Sequence, residues 1–178
     1  MSGKDYVLGP HDEEIARLGL QHRVWRPTVL ECRQKAGIST GDKVIDFGAG
    51  PGFATLDLAE IVGPTGEILA AEHSGRFLQA AVKACADRGF SNVHFRSMDL
   101  MNESLGVTGF DAAWCRWVAC FVSSPATLVQ RIADALRPGG LAIFQFTPRD
   151  AMWQWPASFV GVNLDRMQEL SRVSAERQ

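Results

Sequence analysis

The chain has 178 residues, of which 46% are apolar, a length and composition that predict one domain with a sizeable hydrophobic core. Its formal net charge of −2 provides no basic surface for phosphates, so nucleic acid is not expected as a partner. The sequence shows no signal peptide, no apolar run of membrane-spanning length and no zinc spacing among its four cysteines. We therefore expect a cytoplasmic protein with reduced thiols, no membrane contact and no metal site.

The chain begins with a helical pattern over residues 11–36, with acidic residues in the first turn. Pro27 interrupts this pattern at a position where a second helix can begin. His11, His22 and His94 show no spacing typical of ligating or catalytic histidines, and we interpret them as structural residues.

Three alternating glycines follow the first predicted strand: Gly48, Gly50 and Gly52. Glycines let the backbone turn sharply and approach a ligand closely, and the next helix directs its free amides toward the same place. The dinucleotide fingerprint G-x-G-x-x-G requires a third glycine where this chain has Phe53, and no Lys-Ser/Thr pair follows as in a P-loop. The Asp46 carboxylate beside the turn favours a cationic group over a pyrophosphate.

Strands and helices alternate from residue 43 onward. The apolar runs place strands near 43–48, 67–72, 92–97, 110–116 and 141–147, and helices near 53–61, 74–88 and 124–136. This rhythm predicts a parallel sheet with right-handed crossovers and helices on both faces. Four polar residues end predicted strands: Asp46, Glu72, Asp99 and Arg116. Because ligands of such sheets bind at the carboxyl ends of the strands, we expect these residues to share one site.

The pattern D-x-G-x-G-x-G at residues 46–52 resembles the first motif of class I S-adenosylmethionine-dependent methyltransferases, in particular those that act on small molecules. Further matches follow in order: Glu72 lies 20 residues after Gly52, and residues 110–116 and 136–144 resemble the fourth and fifth strand motifs. The resemblance covers about residues 5–150. It implies a Rossmann-like, doubly wound α/β fold, S-adenosyl-L-methionine as the cofactor and S-adenosyl-L-homocysteine as its product.

The resemblance also implies a set of cofactor-binding residues. These are Asp46, Gly48, Ala49, Gly50, Gly52, Glu72, His73, Asp99, Leu100, Arg116, Tyr6 and Gln21. Glu72 would accept hydrogen bonds from the ribose hydroxyls, and Asp99 would lie near the adenine amino group.

Some of these residues have alternative interpretations. Asp46 either lies near the cofactor's amino group or a bound water, or caps the following helix. Arg116 pairs with the cofactor carboxylate, with a substrate acid or with a structural partner. Residues 1–40 resemble the helical lid of a subgroup of these enzymes, where Tyr6 and Gln21 approach the methionine end, or form an ordinary amphipathic helix.

No obvious general base and no Asn-Pro-Pro-Tyr motif for amino groups in nucleic acid are present, which favours a small-molecule acceptor. Two alternatives stay open. One is a domain that binds the cofactor without competent catalysis, and the other is a nicotinamide-dependent oxidoreductase, which Phe53 disfavours.

Residues 41–150 are the predicted cofactor-binding core, and residues 151–178 read as a loop and one amphipathic helix through Leu164, Met167, Leu170 and Val173. We therefore predict five strands in the order 3-2-1-4-5, with Leu141–Phe146 at the edge and the usual sixth and seventh strands missing. An exposed apolar edge strand must be covered. We therefore expect that the chain is a fragment with a truncated substrate region. Alternatively, the Trp153–Val173 segment or a second subunit, as in a homodimer, covers that edge.

Overall fold

The computed structural model describes residues 12–119, 121–146 and 158–163, with the backbone alone at 146 and 158–163. These residues form a single sheet flanked by helices. In chain order the elements are α1 (Asp12–Ala36), β1 (Lys43–Phe47), α2 (Phe53–Val62), β2 (Glu67–Glu72), α3 (Gly75–Asp87), β3 (Val93–Ser97), β4 (Phe110–Arg116), α4 (Pro125–Ala135), β5 (Leu136–Phe146) and β6 (Ser158–Asn163). The sheet order is β3-β2-β1-β4-β5-β6, with β1 to β5 mutually parallel.

Side chains of the central strands alternate between two apolar cores. In β1, Ile45 and Phe47 pack with Leu128 and Ile132 of α4 on one face. On the other face, residues of α1, α2 and α3 pack against Val44 and other strand residues. This burial on both faces is typical of a parallel sheet and fixes the register of β1. Because β1 to β5 are parallel, their carboxyl ends meet at one edge of the sheet.

The predicted order 3-2-1-4-5 is confirmed, and the predicted α2, α3 and α4 begin and end within two residues of the observed bounds. The expectation of a helix break at Pro27 is wrong, because α1 continues through it. A proline removes one backbone donor from a helix. Here α1 is held to α2 on both sides of that point, since Arg26 and Arg33 both pair with Asp57.

The prediction that β5 forms the edge of the sheet, with no strand beyond it, is also wrong. β6 pairs with β5 in antiparallel orientation, from Leu141 opposite Asn163 to Phe146 opposite Ser158. The prediction assumed a parallel crossover, whereas an antiparallel return needs no crossover helix, and residues 147–157 suffice for the connection. The predicted helix from Leu164 to Val173 lies outside the described residues.

None of the helices in the described ranges combines the length and the hydropathy that a membrane crossing requires.

Candidate active site

A cavity of about 780 Å³ lies at the carboxyl ends of β1, β2 and β4. Of the predicted site residues, it is lined by Asp46, Gly48, Ala49, Gly50, Glu72, His73, Asp99, Leu100 and Arg116. Gly52 and Gln21 are not among the lining residues, and Tyr6 lies outside the described part of the chain. Gln21 instead accepts a hydrogen bond from Arg17 on the surface of α1. The sequence therefore identifies most of the strand-end side of this cavity.

The three glycines of the β1–α2 turn have positive φ values of 68°, 55° and 84°, which disfavour residues with a Cβ. Their surroundings differ. A Cβ on Gly48 would collide with the side chain of Val118, and a Cβ on Gly52 would lie 2.7 Å from Cβ of Ala81 in α3. A Cβ on Gly50 would meet nothing within 4 Å. Gly48 and Gly52 thus serve close packing, whereas Gly50 exposes its backbone to the open cavity.

Glu72 ends β2 and links the glycine turn to the start of α3. Its two carboxylate oxygens accept hydrogen bonds from the backbone amide of Gly50 at 2.9 Å and from that of Ser74 at 2.7 Å. A carboxylate has about four acceptor positions, so each oxygen can accept a further hydrogen bond from a ligand. The carboxylate is thereby fixed in orientation at the cavity wall.

Two other strand-end acids differ in environment. Asp46 is 2% exposed and accepts a hydrogen bond from the Thr55 hydroxyl at 2.7 Å. Burial raises the pKa of its carboxyl, although the Thr55 hydrogen bond and the Arg33 charge act in the opposite direction. Asp99 caps its own turn, accepting from the Met101 amide and the Asn102 side chain at 2.7 Å each. The hydrogen bond from Asn102 lowers the pKa of Asp99 and keeps it ionised.

Arg116 ends β4 and is one of two arginines that line the cavity. The other, Arg76, forms an ion pair with Asp12 at 2.6 Å. The guanidinium of Arg116 lies 3.1 Å from Nδ1 of His22 and 4.5 Å from the ring centroid of Trp117. Trp117 has φ of 60°, an uncommon conformation for a bulky residue that is often found at functional sites.

None of the described carboxylates forms an ion pair with Arg116, and burial lowers its pKa. The charges of Asp46 and Asp57 act against this lowering, but neither carboxylate forms an ion pair with Arg116. A half-buried cation that faces a cavity and has no ion pair among the described residues is suited to an anionic ligand group.

A buried charge cluster that the sequence analysis missed lies beneath the cavity. Asp57 of α2 contacts Arg26 at 2.9 Å, Arg33 at 3.2 Å and Nε2 of His22 at 3.4 Å. Arg33 is fully buried and stacks over Trp114, with a centroid distance of 4.4 Å. The interpretation of His22 as a structural residue overlooked this position between Asp57 and Arg116. Arg26 follows His22 by 4 residues, and Arg33 follows Arg26 by 7, which places all three on one helix face. This spacing is the sequence signal that indicates the cluster.

His22 should make the stability of the protein depend on pH. Burial, and next the Arg116 charge, lower its pKa from 6.5 to about 4, so the unfolded chain takes up the proton first as the pH falls. Stability is therefore lost as the pH decreases through this window, by about 3 kcal/mol in total. Urea unfolding of the wild type and His22→Gln between about pH 7 and 4 checks this. Their difference in free energy of unfolding should shrink toward low pH, and a constant difference would contradict the assignment.

The cavity, the glycine turn and the strand-end acids define a ligand-binding domain of the doubly wound α/β class. A family model described as a methyltransferase domain matches residues 44–140, which is more than half of the chain. The chain therefore belongs to this family, within the class I S-adenosylmethionine-dependent methyltransferases. The cofactor of this class is S-adenosylmethionine.

Individual relatives differ in what their names state. A ubiquinone/menaquinone biosynthesis C-methyltransferase of Pseudomonas fluorescens is 26% identical over 137 residues, which cover 75% of this chain and 52% of the relative. The catalytic subunit of a tRNA (adenine(58)-N(1))-methyltransferase of Cryptococcus neoformans is 28% identical over 138 residues, covering 76% of this chain and 31% of the relative. This chain thus spans about half or less of the length of these relatives.

The crystal structure of an S-adenosylmethionine-dependent methyltransferase from Aquifex aeolicus superposes with a TM-score of 0.64 at 17% identity. The superposition covers 71% of this chain and 67% of that chain. At this level of identity the match shows a shared fold.

Proposed function

We propose that this protein transfers the methyl group of S-adenosylmethionine to a small-molecule acceptor. The observation that carries the proposal is the arrangement of the cavity, in which an open glycine backbone at Gly50 lies between the fixed carboxylate of Glu72 and the guanidinium of Arg116. A nucleoside with ribose hydroxyls suits the acidic side, and an amino-acid group with a carboxylate suits the cationic side.

The residues present fit the cofactor. Glu72 would accept hydrogen bonds from the ribose, while Asp99 and Leu100, which lie further along the same wall, would hold the adenine. Asp46 and Arg116 would bind the amino-acid end, and Ala49 and His73 would complete the wall beside the turn. When bound, the cofactor supplies an activated methyl group on a sulfonium. The protein's contribution is then to align donor and acceptor and to exclude water.

The remaining walls carry apolar side chains beside polar ones such as Asn102 and Ser123, which supports a small acceptor with an apolar body. Leu18 of α1, Val118 and Val122 line the cavity together with Phe121. The contribution of Leu18 also supports the proposal that residues 1–40 act as a lid over a core formed by residues 41–150. No basic surface is expected from a net charge of −2, although one relative is named for its action on tRNA.

A transfer assay with methyl-labelled S-adenosylmethionine tests the acceptor class. Label should pass to low-molecular-weight acceptors with aromatic or aliphatic bodies and not to bulk tRNA. Transfer to tRNA alone would overturn the small-molecule proposal. Binding of the cofactor with no transfer to any acceptor would instead support a domain that lacks competent catalysis.

Replacing Glu72 with alanine should weaken the binding of S-adenosylhomocysteine by about 1–3 kcal/mol. The substitution removes the charged hydrogen bonds to the ligand and also the hydrogen bond that holds the Gly50 amide in place. Isothermal titration calorimetry measures the change. Glu67→Ala is the matched control, since Glu67 lies at the opposite end of the same strand, and its affinity should equal that of the wild type. An unchanged affinity in a folded Glu72→Ala protein would refute the ribose assignment.

A further inference from the structure

His22 lies behind the cavity wall and contacts two of the residues that line it, Phe53 and Arg116. It is 6% exposed, and its ring stacks on Phe53 at the start of α2, with centroids 5.6 Å apart and planes inclined by 20°. Its Nδ1 lies 3.1 Å from Nη1 of Arg116, and its Nε2 lies 3.4 Å from Oδ2 of Asp57. The imidazole therefore connects α1 and α2 to the end of β4.

The chemistry of these two partners determines the tautomer of His22. A guanidinium has donors only, so Nδ1 of His22 must accept the hydrogen bond from Arg116. The imidazole is then neutral, and its single proton is on Nε2, facing the Asp57 carboxylate. The charged groups facing the ring are Arg116 from β4, Asp57 from α2, and Arg26 and Arg33 from α1. Burial lowers its pKa to about 4, in agreement with the neutral form.

The charges of Glu72 and Arg116 favour one orientation of a zwitterionic ligand in the cavity. Glu72 ends β2 on one side of β1, and Arg116 ends β4 on the other side, so the two lie at opposite flanks of the glycine turn. A carboxylate on the ligand is repelled by Glu72 and attracted by Arg116. Asp46, which lies on the strand between them, is suited to the ammonium group of the same zwitterion.

We propose that His22 is a positioning residue, which holds the Arg116 guanidinium in the orientation that binds the carboxylate of S-adenosylmethionine. This inference rests on the proposed function, since it takes that cofactor as the ligand. Arg116 touches the ligand, and His22 acts through Arg116. Asp57 in turn fixes the ring by accepting from Nε2.

Two substitutions separate the two contacts of the ring. His22→Gln places its amide near the position of Nε2, where it can donate to Asp57, and leaves no acceptor at the position of Nδ1, which faces Arg116. His22→Asn keeps an acceptor near the position of Nδ1 and loses the contact with Asp57. The ligands are S-adenosylhomocysteine and decarboxylated S-adenosylhomocysteine, which retains the amine and lacks the carboxylate. Dissociation constants are measured by calorimetry for the wild type, both His22 variants, Arg116→Gln and the exposed control His94→Gln.

The wild type should prefer the carboxylate-bearing ligand by roughly ten- to hundredfold, the range for a charged hydrogen bond. Both Arg116→Gln and His22→Gln should lose most of that preference, with little change for the decarboxylated ligand. His22→Asn should retain it, as should His94→Gln. Combining His22→Gln with Arg116→Gln should cause no further loss, because both act on one contact.

Any of four results would overturn the inference. One is equal weakening of both ligands in His22→Gln, which indicates a structural role alone. The second is loss of the preference in His22→Asn with retention in His22→Gln. The third is a wild type that binds both ligands equally, which leaves the proposed function intact, whereas a wild type that binds neither ligand overturns both. His22→Phe preserves ring stacking without an acceptor and repeats the test if His22→Gln does not fold.

Discussion

Replacing Asp57 with alanine is expected to lower the free energy of unfolding by about 3–5 kcal/mol, the range for breaking a buried ion pair from one side. Asp57 is 3% exposed and compensates Arg33, which is fully buried. Burial already lowers the pKa of Arg33 to about 10, and loss of its anionic partner leaves an unpaired cation in the core. Urea unfolding, followed by circular dichroism, measures the change.

Glu60→Ala is the matched control, because Glu60 also lies on α2 and also pairs with Arg26. Its side chain is 42% exposed, so we expect a loss of about 1 kcal/mol or less. A loss of about 1 kcal/mol or less in Asp57→Ala, no larger than that expected for Glu60→Ala, would show that the cluster beneath the cavity does not stabilise the fold. A large effect at Asp57 alone would identify it as the anchor of α1 on α2.

Replacing Gly50 with valine is expected to weaken the binding of S-adenosylhomocysteine at least about a hundredfold, or about 2.8 kcal/mol. A Cβ at this position meets no protein atom within 4 Å, so the valine side chain would occupy the cavity where the ligand is proposed to lie. The fold should survive, with a cost of about 1–3 kcal/mol for a β-branched residue at positive φ. Calorimetry and thermal unfolding measure the two effects separately.

Gly89→Val controls for backbone strain. Gly89 has φ of 72°, is equally free of close neighbours and does not line the cavity. The two variants should lose similar stability, and Gly89→Val should bind the ligand as the wild type does. Normal affinity in Gly50→Val would mean that the glycine serves only the turn.

Local patterns were sufficient to predict the core of the sheet. Apolar runs of strand length alternate with helical stretches, and this rhythm permits few topologies, of which the order 3-2-1-4-5 is the observed one. Two features depend on tertiary contacts instead. α1 continues through Pro27, and Asp57 contacts this helix on both sides of the proline. β6 is formed by pairing with β5, which lies before the segment 147–157 in the chain.

The candidate site was predictable where position along a strand determines position in space. Glu72 and Arg116 each end a parallel strand and Asp46 is the next-to-last residue of β1, and parallel strands bring their carboxyl ends together. The sequence did not predict that Gly48 and Gly52 serve close packing whereas Gly50 faces the cavity. This difference depends on neighbours such as Val118 and Ala81. The contacts of His22 with Arg116 and Asp57 were hidden for the same reason, since both partners are distant in sequence.

Calorimetric titration of the wild-type protein with S-adenosylhomocysteine, in parallel with NADH, tests the central claim most directly. We predict saturable binding of one S-adenosylhomocysteine per chain and no binding of NADH at comparable concentration. The features on which this depends are the open backbone of Gly50, the carboxylate of Glu72 and the guanidinium of Arg116. Binding of NADH without S-adenosylhomocysteine would contradict the account.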